Sequence, residues 1–249
     1  MIRVEHLTYR ISGRTILRNV SLAVPDGQTV AVMGMSGVGK STLLKLIAGL
    51  TRPCGGRIYI GDTNIVGMRE SGLNEVRRKI GMVFQYAALF DSLSVFDNVA
   101  FGLRRRTKLS EIEIAEAVDR MLSMVGLPRT EHLMPSELSG GMQKRVGLAR
   151  ALALGPEIIL YDEPSAGLDP ITSATISDLI VKTRDELGVT SVVVSHDLPT
   201  IRRVSNRVAM LHDCRIIADG TLEEIESTGN PAARQFIGGE TAGPIQITA

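Results

Sequence analysis

The run Gly34-Met35-Ser36-Gly37-Val38-Gly39-Lys40-Ser41 constrains this chain more than any other feature. It is a complete G-x-x-x-x-G-K-[ST] pattern, preceded by the apolar segment Thr29–Met33 and followed by an amphipathic stretch, Thr42–Ala48, that stops at Gly49. The glycines let successive backbone N–H groups turn inward. The helix that begins near Gly39 aims its positive dipole end at the same point, so loop and helix together make an anion cradle. In such a cradle Lys40 reaches the β- and γ-phosphates of a nucleoside triphosphate such as ATP. Ser41 is placed to ligand Mg²⁺, and Thr42 closes the loop. A plain glycine-rich turn is the alternative, but the strand before it and the helix after it argue against that.

The rest of the chain fits a sheet that presents this loop. Short Val/Ile-rich runs at Thr29–Met33, Ile58–Ile60, Ile80–Phe84, Ile158–Asp162 and Thr190–Ser195 alternate with longer stretches of helical period, as in an α/β fold whose strands are covered on both faces. Residues Ile2–Val24 read as two alternating strands around a turn at Ser12-Gly13, an antiparallel layer flanking the main sheet. Between Gln85 and Ser139 the strand signal disappears. Ser110-x-x-Glu113 forms a capping box, after which apolar residues recur at three- and four-residue steps as far as Gly126-Leu127-Pro128. The expectation is one compact domain over 1–227, with a helical subdomain inserted at about 86–155. Asp169 and Pro170 start a last core helix that ends at Gly188. Residues 228–249 read as a tail of little periodicity.

Two further strand ends carry chemistry. Asp162 and Glu163 follow the run Ile158–Tyr161 at its C-terminal end, the rim where open α/β sheets bind ligands. There Asp162 is suited to the Mg²⁺ shell and Glu163 to polarising an attacking water. His196 follows Val192–Ser195 to the same rim. A lone histidine is often structural, but here its placement suits a γ-phosphate sensor that holds Glu163 in line. Gln85, after a third strand, could complete the metal or water shell.

Charge narrows the partners. Twenty-eight Lys and Arg against 27 Asp and Glu leave a formal net charge of +1, with no basic surplus for a nucleic-acid backbone. The two cysteines, Cys54 and Cys214, form neither a metal array nor a disulfide framework. No window of about 18 uncharged apolar residues is present, and the first residues lack a signal-peptide layout. Service to a membrane would therefore come from its cytoplasmic face.

Leu138-Ser139-Gly140-Gly141-Met142-Gln143 resembles the LSGG signature of ABC ATPases. The order Gly34–Ser41, Gln85, Ser139–Gly141, Asp162-Glu163, Ser165–Asp169 and His196 is also similar to that family's, so the resemblance spans residues 1 to about 227. It implies a phosphate-loop NTPase core with an antiparallel layer and a helical insertion. It also implies a head-to-tail homodimer in which ATP lies between one copy's Lys40 loop and the other's Ser139, Gly140 and Gly141, with the turn ending at Asp169 across the interface. A multi-span permease would be a separate polypeptide. Met142 stands where the family commonly has Gln or Glu. Ile11 aligns with an adenine-stacking aromatic, which leaves Tyr9, two residues earlier on the same strand face, as the aromatic candidate.

The segments Ala88-Leu89-Phe90 and Ser94–Phe101 resemble the ATPase subunit of the MCE-type (Mla) lipid transporters, and Asn230–Phe236 with Gly243-Pro244 resembles its C-terminal extension. That branch implies phospholipid transport maintaining outer-membrane asymmetry, at the cytoplasmic face of the inner membrane, with an MCE-domain protein and a small STAS-domain regulator as partners. Polar amino-acid and osmolyte importers share most of the motifs, and a soluble non-transport ABC ATPase is a further alternative.

Overall fold

The computed structural model describes residues 1–246; residues 247–249, the end of the expected tail, lie outside the described residues. An antiparallel sheet opens the chain. Strand β1 (Ile2–Ile11) pairs with β2 (Arg14–Val24) through the Ser12-Gly13 turn, and with β4 (Gly55–Ile60), which pairs with the short β5 (Thr63–Asn64). The run Ile58–Ile60 therefore belongs to this sheet. Its partner residues on β1, not its own apolar composition, decide the assignment.

The main sheet has the order β10-β9-β3-β8-β7-β6. Its strands are β3 (Thr29–Met33), β6 (Ile80–Val83), β7 (Ile158–Asp162), β8 (Thr190–Ser195), β9 (Arg207–His212) and β10 (Arg215–Gly220), with all but β10 parallel. Every residue of β3, β7 and β8 is buried, which explains their unbroken apolar runs. The register pairs Met33 with Ser195 and Asp162 with Val194. The C-terminal ends of β3, β7 and β8 thus reach one rim together.

Helices cover both faces. Helix α1 (Lys40–Ile47) packs under the sheet with the antiparallel layer, burying Val30, Val32, Leu160, Val192 and Val194. On the other face Ile159, Tyr161 and Val193 meet the helical insertion. Truncating one such residue to Ala typically costs ~2–5 kcal/mol. After α2 (Glu70–Arg78), the insertion consists of α3 (Val95–Arg106), α4 (Glu111–Met124), a 3₁₀ turn at Pro135–Glu137 and α5 (Gly140–Leu152). The Ser110 capping box holds the start of α4, and Asp169 caps α6 (Pro170–Leu187) through the N–H groups of Ile171 and Thr172.

Beyond α7 (Leu198–Val204) and α8 (Leu222–Glu226), the tail of little periodicity contains a helix, α9 (Pro231–Gly238), capped by Asn230. Its Ala232 and Ala233, with Ile245, pack on Ala31, Met33, Val208 and Met210 of the sheet. Tertiary burial holds this helix, since eight residues would be marginal alone.

Candidate functional site

The loop after β3 is built where side chains cannot go. Gly34 has φ +152°, and a Cβ there would lie 2.3 Å from the Leu211 carbonyl oxygen; Gly39 has φ +112°, with Ile16 Cγ2 only 2.9 Å from its Cβ direction. Helix α1 follows without a side-chain cap, so its first N–H groups face the loop. Lys40 is 5% exposed and turns back over the loop, donating to the carbonyls of Gly34 (2.8 Å) and Met35 (3.0 Å). Its ammonium also lies 3.2 Å from Glu163 Oε1.

Ser41 donates its hydroxyl to Asp162 Oδ1 at 2.7 Å. Burial pushes the Asp162 carboxyl upward from its ordinary pKa. The Ser41 hydrogen bond opposes that shift, the negative charge of Glu163 adds to it, and Lys45 and Lys40 offset part. Glu163 has a left-handed backbone (φ +47°), unusual for a residue with a side chain and a mark of local strain. Its Oε2 accepts from the Ser195 hydroxyl at 3.3 Å and the His196 N–H at 3.4 Å, and faces His196 Nδ1 at 3.0 Å. A buried carboxylate is thus held from two sides, by a lysine and by the end of β8.

Lys40, Glu163 and His196 line a cleft of about 330 Å³, together with Ile16, Ser36, Gly37, Gly39, Ser41, Thr42 and Gln85, and Asp162 stands behind it, bonded to Ser41. The loop, Lys40, Ser41, Thr42, Gln85, Asp162, Glu163 and His196 therefore converge as expected from sequence. Val38 and Met35 turn their side chains away, into the core on either side, so their contribution to the cleft is backbone.

Four expected residues, Ser139, Gly140, Gly141 and Asp169, and one aromatic, Tyr9, stand elsewhere. Ser139, Gly140 and Gly141 lie outside this cleft, at the start of α5, where Ser139 caps the helix through the Met142 N–H. A Cβ on Gly141 would meet Thr172 Cγ2 at 2.5 Å, so this tip is pressed against the first turn of α6 that Asp169 caps. Tyr9 does not line the cleft: its ring packs against the core and its hydroxyl lies 3.4 Å from Thr51 Oγ1. Ile11 is 54% exposed, and the apolar wall is Ile16. Sequence reasoning passed over Ile16 and Ser195; the latter was legible as the last polar residue of an apolar strand.

A glycine-walled phosphate loop, a lysine at its mouth and a serine–aspartate pair beside a clamped glutamate define a nucleoside triphosphate hydrolase of the phosphate-loop class. Comparison with known proteins narrows the class. The family profile described as "ABC transporter" matches residues 17–166. The chain is 42% identical over 245 residues to the intermembrane phospholipid transport system ATP-binding protein MlaF of Escherichia coli, spanning 98% of this chain and 91% of that protein. Identity to MlaF of Haemophilus influenzae is 43%, over 99% and 94%. A probable ribonucleotide transport ATP-binding protein, mkl, of Mycobacterium tuberculosis is 41% identical over 99% of this chain and 69% of its own length. Among solved structures, the ATP-binding cassette MJ0796, dimeric and bound to ADP and Pi, superposes with a TM-score of 0.82 at 36% identity, covering 89% of this chain and 99% of that one. Clostridium perfringens cbiO1, part of the ABC transporter complex cbiONQ, gives 0.83 at 34% identity, covering 90% and 89%. The chain belongs to the ABC transporter family: it is an ATP-hydrolysing subunit with the ABC ATPase fold. Among the described residues no helix is long and apolar enough to cross a membrane.

Proposed function

We propose that this chain is the ATPase of an MCE/Mla-type phospholipid transporter. It works as a homodimer beneath a multi-span permease at the cytoplasmic face of the inner membrane, with an MCE-domain protein and a STAS-domain regulator as further partners. The observation that carries the branch is near-full-length similarity to MlaF, 42–43% identity across 91–94% of those proteins, C-terminal segment included. Ribonucleotide transport is the second reading, favoured by the 41% identity to mkl.

Within the cleft we assign roles by geometry. Substrate phosphates replace the loop carbonyls as partners of Lys40, and the loop N–H groups with the first turn of α1 bind them. The oxygen pair of Ser41 and Asp162, 2.7 Å apart, suits Mg²⁺, a hard ion that takes one or two protein oxygens and fills its shell with phosphate and water. Mg²⁺ held by Ser41 and Asp162 would offset the negative charge of the phosphates. Glu163 orients the attacking water and takes its proton as the new bond to the γ-phosphorus forms and the bridging oxygen leaves with ADP. His196 and Ser195 fix that carboxylate, and Gln85 closes the wall on the side of the helical insertion. Ser139–Gly141 and Asp169 belong to the second copy's half of each site, which accounts for their place outside the cleft of one chain.

The test is reconstitution with the permease it co-purifies with. In proteoliposomes, added phospholipid should change ATP turnover and labelled phospholipid should move in an ATP-dependent way. Movement of labelled ribonucleotide with no effect of lipid would overturn the lipid assignment.

A further inference from the structure

Lys144, on the second turn of α5, is 7% exposed and forms no ion pair among the described residues, although the Glu163 charge acts on it; its ammonium donates to the backbone carbonyls of Pro164 (2.9 Å) and Ala166 (2.6 Å). Burying a lysine against neutral acceptors is expensive, and an apolar side chain would fill the same space more cheaply. Those two carbonyls flank the turn that leaves Glu163. From its other side the same turn is gripped by α7, with Ser165 donating to Asp197 at 3.2 Å and Thr200 to Ser165 at 3.0 Å. Across the same contact, a Cβ on Gly140 would meet Leu168 at 3.8 Å and one on Gly141 would meet Thr172 at 2.5 Å, so glycine is what lets the two segments approach. The tip at Ser139–Gly141 and the backbone next to Glu163 are therefore packed together, and two charged groups fasten the turn between them: Lys144 from α5 and Asp197 from the start of α7.

We infer that Lys144 is a positioning residue that links the two ATP sites of the dimer, by holding the tip that one site uses to the turn that sets Glu163 for the other. This rests on the two-copy reading above and not on the identity of the transported molecule. ATP gathered against Ser139–Gly141 of one copy draws α5 with it, and Lys144 passes that displacement to Pro164 and Ala166. In this way occupancy of one site aligns the Glu163 carboxylate of the other.

The test uses the full-length chain with Mg²⁺ and ATP. In Lys144→Met, kcat should fall about 10–100-fold, the range expected from a sub-ångström to 1 Å misplacement of a reacting group. KM should stay within about twofold, because the loop around Lys40 is untouched, and the Hill coefficient should drop towards one. Lys144→Arg, which keeps charge and donors, should recover most of the kcat and the cooperativity. Should the Met variant fail to fold, Lys144→Gln offers the same split between kcat and KM. Unchanged kcat and Hill coefficient would overturn the inference. So would a parallel loss of kcat, KM and thermal stability, or an Arg variant no better than Met. Glu163→Gln is the control: if it does not dimerise on ATP, the two-copy reading fails first and the link falls with it.

Discussion

Glu163 Oε1 lies 3.2 Å from Lys40 Nζ, both groups buried, so the side chain proposed to hold the attacking water is tied to the side chain proposed to hold the γ-phosphate. Exchange of Glu163 for Gln preserves shape while removing the base. Steady-state phosphate release should fall by ~10²–10⁴-fold, the usual contribution of a positioned general base. Equilibrium ATP binding should survive, and loss of binding in parallel with turnover would assign Glu163 a structural role.

Asp162 makes a prediction of opposite sign on stability. Its folded pKa is raised above the ordinary 3.8 chiefly by burial. The ionised form therefore destabilises the ligand-free fold at pH values above the folded pKa, and that penalty vanishes below about 3.8, where folded and unfolded chains are both protonated. Asp162→Asn keeps an acceptor for Ser41 and removes the charge. Scanning calorimetry at neutral pH should show a Tm higher by about 2–4 °C per kcal/mol relieved, with the gain disappearing in acid. The same variant should lose the extra stabilisation that Mg²⁺ adds to ATP.

The contact between α5 and α6 is tight enough to test by volume. Gly141→Ala places a methyl 2.5 Å from Thr172 Cγ2 and should destabilise the chain by about 1–3 kcal/mol, as overpacking does. Thr172→Ser removes Cγ2 while leaving a hydroxyl for Asp169, so the double variant should regain most of the lost Tm. Additive losses in the double variant would show that the strain lies elsewhere.

Legibility followed chemistry written locally. The loop at Gly34–Ser41, the buried runs of β3, β7 and β8, and the caps at Ser110 and Asp169 are each specified by neighbouring residues, and all stand where the sequence puts them. Features set by distant partners were harder. Ile58–Ile60 has the composition of a parallel core strand but pairs antiparallel with β1. Strands β9 and β10 join through Asp213 and Cys214, both at positive φ without a glycine to announce the turn. Helix α9 is short and owes its place to the sheet beneath it. Tyr9 follows the alternation of its strand, yet what its ring meets, the core and Thr51, is a tertiary matter. Lys144 carries no local signal, because its acceptors are backbone carbonyls 20 and 22 residues away.

The central claim is that Lys40 of one copy and the Ser139–Gly141 tip of another complete one site, and subunit complementation tests it most directly. Lys40→Ala removes the phosphate partner. Gly140→Asp puts a negative charge on the tip at a position where a Cβ meets only Leu168, at 3.8 Å. Each variant alone should be inactive, since both sites of its dimer carry a lesion. Mixed, the two should regain ATP turnover, because a heterodimer gathers both lesions into one site and leaves the other intact. A mixture as inactive as its components, with heterodimers demonstrably formed, would contradict the account.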